Sequence, residues 1–120
     1  MPAVLALGLD PAFVDPKAMG GHSASVVRAY LDSQMDRIRT QGYEVQNCFV
    51  DLGETAESVL ADHLRQRTFD CVMIGAGLRN PNYLRLFEKL LNVVHALAPG
   101  AKICFNTSPA DSAEAVQRWV

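Results

Sequence analysis

Cysteine is scarce in this chain: Cys48, Cys71 and Cys104 are the only three among 120 residues. An odd count with no CxxC spacing and no close pair excludes a disulfide framework and a cysteine zinc site. Each is therefore expected to be a small buried hydrophobe in a reducing compartment. Long apolar runs are missing too, since none approaches the ~20 residues that a bilayer-spanning helix needs. Ala3–Leu9 lacks a basic segment before it and stops at Asp10-Pro11, too short for a secretory leader. A cytoplasmic location is the expectation. Neither sign of charge dominates: 11 basic and 13 acidic residues are interspersed, with a net charge of −2. No field is present to gather nucleic acid or an anionic membrane, and neither is expected as a partner. Repeats, low-complexity segments and linkers are also lacking, so residues 1–120 read as one domain.

What is present is a regular alternation of strand and helix signals. Val4–Leu9 is a continuous apolar run, the pattern of a strand buried on both faces. Ser23 can cap a helix that carries Val27, Leu31, Met35 and Ile38 at helical spacing and stops at Gly42. The second strand, Tyr43 to Val50, is interrupted by Glu44, Gln46 and Asn47, as suits a sheet edge. A helix from about Glu54 follows, with Val59, Leu60 and Leu64 on its inner face. Phe69 to Ile74 reads as a central third strand. Asn80-Pro81 opens a third helix in the manner of an N-cap followed by proline at the first helical position. Ala101 to Phe105 is the fourth strand, and Asp111 with Glu114 spells a capping box on a last short helix. Strands joined by helices imply a parallel sheet. With the two all-apolar strands in the middle, the expected fold is three-layer α/β with strand order 2-1-3-4, a flavodoxin-like (Rossmann-like) half.

In such sheets, ligands bind beyond the carboxyl ends of the strands where the winding reverses, here between strands 1 and 3. Two segments should meet there. Pro11 to His22 is a loop of twelve residues, against about two to six for ordinary connections of this kind. It begins after Asp10 and contains Gly21 and His22. It is either a ligand-ordered lid or a surface cap over Phe13 and Val14. The second segment is Gly75-Ala76-Gly77-Leu78-Arg79-Asn80. Gly75 and Gly77 permit close backbone approach, a helix N-terminus offers free N–H groups, and Arg79 can clamp a carboxylate or phosphate. The same glycines would equally serve a tight turn. Asp51 and Asn106, at the ends of strands 2 and 4, complete the candidate ligand residues. Both also have ordinary turn chemistry open to them.

Motifs with a defined chemistry are missing from this crest. A dinucleotide fingerprint needs a third glycine where Asn80 stands and follows the first strand rather than the third, and no lysine precedes Ser or Thr to make a phosphate loop. The cofactor, if there is one, is unknown from the sequence. His22 is the one histidine placed for acid–base work, although it also flanks the cap Ser23; His63 and His95 fall within helices. Trp119 could pin the last helix to the sheet or anchor a partner. The fourth strand is an edge carrying Ile103 and Phe105, with only Lys102 to blunt it. The third helix bears two apolar stripes, Leu84/Phe87/Leu91/Val94 and Leu86/Leu90/Val93/Leu97, wider than one buried face requires. A homodimer is expected, through that edge or through the wide apolar helix.

Taken together, Asp51–Ala56, Ile74–Arg79, Ala101–Thr107 and Gln117-Arg118-Trp119 resemble a family of small, uncharacterised bacterial flavodoxin-like or Rossmann-like α/β proteins over nearly the whole chain. That likeness implies the fold and brings no activity with it. A more distant likeness is to SGNH-type hydrolases. Gly53 and the glycine-rich turn before Asn80 fall where that family places oxyanion-hole residues, and Ala98–Ile103 has a similar character. The chain departs from that pattern by ending strand 1 in Gly8-Leu9-Asp10, with no serine, and by stopping before any Asp-x-x-His pair. Covalent acyl transfer then lacks its nucleophile and base. A response-regulator receiver is excluded by Ile74-Gly75, where the phospho-acceptor aspartate would stand.

Three functions stay open on the sequence. The first is a binding module holding a small polar or anionic molecule through Asp10, Gly21, His22, Asp51, Gly75, Gly77, Arg79, Asn80 and Asn106. The second is a structural or regulatory homo-oligomeric subunit that works through its edge strand and apolar helix. The third is a hydrolase-like enzyme using Asp10 or His22 as acid–base.

Overall fold

A computed structural model describes residues 1–120. Four parallel strands, β1 (Ala3–Leu9), β2 (Glu44–Val50), β3 (Cys71–Ile74) and β4 (Lys102–Phe105), form one sheet in the order β2-β1-β3-β4. Helices α1 (Ala24–Thr40) and α4 (Ser112–Gln117) cover one face, while α2 (Ala56–Gln66) and α3 (Leu84–Leu97) cover the other. The three-layer arrangement and the strand order are those expected from the sequence. No helix is long and apolar enough to cross a membrane.

Side-chain alternation along the strands divides the core in two. Leu5, Leu7 and Leu9 of β1 join Val72 and Ile74 of β3 against Leu60, Leu64, Leu86, Leu90 and Val94 of α2 and α3, in a cluster of 16 buried residues. Val4 and Ala6 join Cys71, Met73 and Cys104 against Met35, Ile38, Ala113, Ala115 and Val116, in a cluster of only 10. The α1/α4 face is the thinner half, and it is thinnest toward the crest. Along that face β1 runs Val4, Ala6, Gly8, losing volume at every step toward its carboxyl end.

Local signals explain the helix ends. The Val26 N–H donates to Ser23 Oγ at 3.3 Å, so Ser23 caps α1 as its type dictates. Gly42 ends that helix with φ +95°, a conformation that favours glycine. Several boundaries differ from expectation. β2 begins at Glu44 and β3 at Cys71, each later than the apolar pattern predicts. Asn80-Pro81 does not open α3. Two 3-10 turns, Ala76–Arg79 and Pro81–Tyr83, fill the space before the helix starts at Leu84. The capping box is Ser108/Asp111 rather than Asp111/Glu114, because Asp111 turns back to accept from the Ser108 and Thr107 N–H groups and the Thr107 hydroxyl.

Two further expectations change. Trp119 does not pin the last helix, being 54% exposed. Cys71 and Cys104, far apart in sequence, lie on neighbouring strands with their Sγ atoms 3.4 Å apart, both as free thiols. They form a close pair that their spacing concealed. The Cys104 thiol beside it and burial push the Cys71 thiol up, and burial alone pushes Cys48 up to about 12.

Candidate functional site

The two crest turns leave adjacent strands at the same end of the sheet. The Gly75 N–H donates to Leu7 O at 2.9 Å, and Gly77 lies close against Leu9. Beside them, on the α1/α4 face, lies a hollow of about 650 Å³. Its floor is the crest half of the sheet, Ala6 and Gly8 of β1 with Met73 and Gly75 beside them. Its wall is α1, through Val27, Leu31 and Met35, and its mouth is bounded by Met19 and His22 of the long loop with Tyr30 and Phe49. That volume lies within the ~300–1,000 Å³ typical of small-molecule sites, and the place is where the winding reverses.

The hollow exists because side chains are missing from its floor. Neither Gly8 nor Gly75 has a positive φ, and Gly75 is extended at φ −70°, ψ 155°. A Cβ at Gly8 would meet nothing nearer than Phe49 at 3.9 Å, and one at Gly75 nothing nearer than Leu7 O at 3.6 Å. Backbone conformation and packing both admit a Cβ at these two positions. A side chain on Gly8 would simply occupy the hollow.

Of the nine sequence-predicted ligand residues, four line this space: His22, Gly75, Gly77 and Asn106. Asn106 is 4% exposed, and both polar atoms of its side chain are engaged by the protein itself. Its Oδ1 accepts from the Ala76 N–H at 3.0 Å and from Arg79 Nη2 at 3.2 Å, while its Nδ2 donates to Ser112 Oγ at 3.0 Å. Arg79 also donates to the Asn106 carbonyl, and its guanidinium lies 5.0 Å from the centre of the Phe105 ring. Arg79 and Asn106 thus form a clamp between the ends of β3 and β4. The Ala76 N–H, one of the amides expected to face a ligand, is part of that clamp.

The remaining predicted residues are engaged locally. Asp10 Oδ1 accepts from the Ala12 N–H and from Arg28 Nη2 at 2.5 Å, tying the end of β1 to α1. Asp51 folds its carboxylate over the following turn, accepting from Gly53 N–H, Thr55 N–H and the Thr55 hydroxyl. The Thr55 hydroxyl and then the Gly53 N–H hold its carboxyl below the ordinary 3.8. Asn80 accepts from the Asn82 N–H at 2.9 Å. Gly21 takes φ +81° in the loop turn and does not line the hollow.

No protein-family model and no curated protein matches the chain. Residues that the sequence reading passed over form most of it: Ala6, Gly8, Met35, Phe49 and Met73, with Tyr30 and Asn47 toward the outside. The falling size of Val4, Ala6 and Gly8 at every second position of β1 was the available signal.

Polarity changes along the depth of this space. The buried lining residues Ala6, Met35 and Met73 are apolar, and the buried polar pair Asn106 and Ser112 is already satisfied, with Ser112 Oγ donating to Pro109 O at 2.7 Å. Groups free to meet a ligand are on more exposed residues: the His22 imidazole, the Tyr30 hydroxyl, and Asn47, held only by a long 3.5 Å contact to Asp32. The site can seat an apolar body and offer hydrogen bonds at its mouth.

Proposed function

We propose that this chain is a small-molecule-binding module whose ligand sits between α1 and the carboxyl ends of β1 and β3. The observation that carries the reading is the pair Gly8 and Gly75. Neither glycine answers a backbone or packing demand of the fold, and both border the same hollow. Filling such a space with a side chain would add buried apolar contact, so leaving it open has a cost in stability. The strand order adds support, since it is that of the first four strands of a flavodoxin-like sheet, in which ligands bind at this switch point. Three buried cysteines without a disulfide fit a reducing compartment, and we infer a cytoplasmic location.

The reading is tested with N-phenyl-1-naphthylamine, an uncharged dye that brightens in apolar sites. The native chain should bind it at one saturable site. Gly8→Val, which carries a branched side chain into the floor, should weaken binding at least ten-fold while far-UV circular dichroism stays unchanged. Equal binding by both proteins would overturn the assignment.

A second reading, a homodimer through β4, is favoured by the exposure of Phe105 and Trp119 near that edge. Arg118 donates to the Phe105 carbonyl at 2.9 Å and so covers one edge acceptor. Sedimentation equilibrium of the chain and of Trp119→Ala separates the two: a dimer lost on substitution supports self-association, and a monomer refutes it. The acid–base reading is weaker, because Asp10 is held by Arg28 and the Ala12 N–H.

A further inference from the structure

Resting on the hollow as a ligand site, the geometry points to a ligand class: a molecule with a hydrocarbon or aromatic body and one uncharged hydrogen-bonding end, bound with its apolar end inward. This is our proposal, and it replaces the polar or anionic ligand expected from the residue types at the crest. The inner end of the hollow is made of Ala6, Met35 and Met73, each under 7% exposed. A polar group placed there would lose water among apolar side chains, and the nearest buried polar pair, Asn106 and Ser112, already spends hydrogen bonds on each other and on backbone. Burying an unpartnered polar group is unfavourable, whereas burying a methylene is favourable. At the mouth the order reverses, with His22, Tyr30 and Asn47 available to a hydroxyl, amide or carbonyl.

Charge does not favour an anion. Arg28, near Phe49 at the edge of the hollow, is paired with Asp10, and Arg79 is turned to Asn106 and Phe105. Neither guanidinium lines the space. Nucleotides and free phosphate therefore lack the donors that would hold them. The two methionines suit a ligand of unspecific outline, since unbranched thioether side chains adjust to irregular apolar shapes.

A homologous series of straight-chain alcohols, hexanol to decanol, reads this directly by displacing the uncharged dye N-phenyl-1-naphthylamine from the full chain. Each added methylene should tighten binding roughly four-fold until the hollow is full, after which the gain stops. In Gly8→Ala the gain should stop at a shorter alcohol, because one methyl group already occupies the floor. Gly8→Ala adds a single methyl group, which the strand conformation and the surroundings of Gly8 accommodate. Adenosine monophosphate and inorganic phosphate should leave the dye in place. If those anions displace it and the alcohols do not, the ligand class is overturned while the site stands. If neither displaces it and Gly8→Ala binds it as the native chain does, the site itself is overturned.

Discussion

Replacing Asn106 by alanine tests whether this residue is a structural clamp or a ligand group. Three side-chain hydrogen bonds end on it, from Ala76, from Arg79 and to Ser112. Asn106→Ala removes all three in a site that is 4% exposed. A typical hydrogen bond contributes about 1 kcal/mol net, and a buried donor left unpaired costs about 1–3 kcal/mol. Arg79 keeps the Asn106 carbonyl and Ser112 keeps Pro109 O, so the Ala76 N–H is the group left stranded. The loss should be about 3 kcal/mol, a large share of the ~5–15 kcal/mol that holds a domain folded. In urea, at a slope of about 1.5–2 kcal/mol per molar, the unfolding midpoint should fall by about 1.5–2 M. Asn106→Asp keeps both acceptor contacts and should recover more than half of that loss. A midpoint for Asn106→Ala within ~0.3 M of the native chain would refute the clamp, and Asn106 would return to the set of residues free to meet a ligand.

Two further measurements bear on the loops and the core. The carboxyls of Asp51 and Asp111 are held below the ordinary 3.8, the first chiefly by the Thr55 hydroxyl and the second chiefly by the Thr107 hydroxyl. A folded-state value below the unfolded one means a contribution to stability that is present above the unfolded value and disappears as the pH falls through the folded one. Urea midpoints should therefore be steady near neutrality and fall below about pH 4, and less steeply in Asp111→Asn; equal slopes in both proteins would contradict this. The thiols of Cys48, Cys71 and Cys104 are all buried, with Cys48 pushed up to about 12. Ellman's reagent at pH 8 should find none of them in the native chain and all three in urea; a rapidly reacting native thiol would contradict the burial.

The strand order was legible because burial leaves a mark on composition. β1 and β3 are uninterrupted apolar runs and so lie inside the sheet, while Glu44, Gln46 and Asn47 mark β2 as an edge. Helix starts were legible where one residue decides them, as Ser23 does. Asn80-Pro81 misled because a cap and a proline start a 3-10 turn as readily as an α-helix. The site residues were harder for a different reason. Asn106 and Ala76 are 30 positions apart, and Cys71 and Cys104 are 33 apart. Residue type at a crest shows that a polar group is present there; whether it faces a ligand or another loop depends on long-range packing. Arg79 and Asp51 illustrate the same ambiguity, each carrying suitable chemistry that the protein uses internally.

The contrast between the two faces of the sheet connects sequence to function. On the α2/α3 face, Leu5, Leu7 and Leu9 keep full side chains to the end of β1, and the core behind them is closed. On the α1/α4 face, the same strand narrows from Val4 through Ala6 to Gly8, and α1 is left with half-buried Val27 and Leu31 over open space. Both faces belong to the same strand and meet the same requirements of twist and hydrogen bonding, so backbone needs do not explain the difference. Stability alone would favour filling the floor, because each buried methylene contributes about 0.8 kcal/mol. A position that accepts a side chain, gains from one and yet has none is better explained by what the space admits than by how the chain folds. The clamp of Arg79 and Asn106 fits the same account: it fixes the turns of β3 and β4 beside the opening and engages the Ala76 N–H and the Asn106 oxygens there.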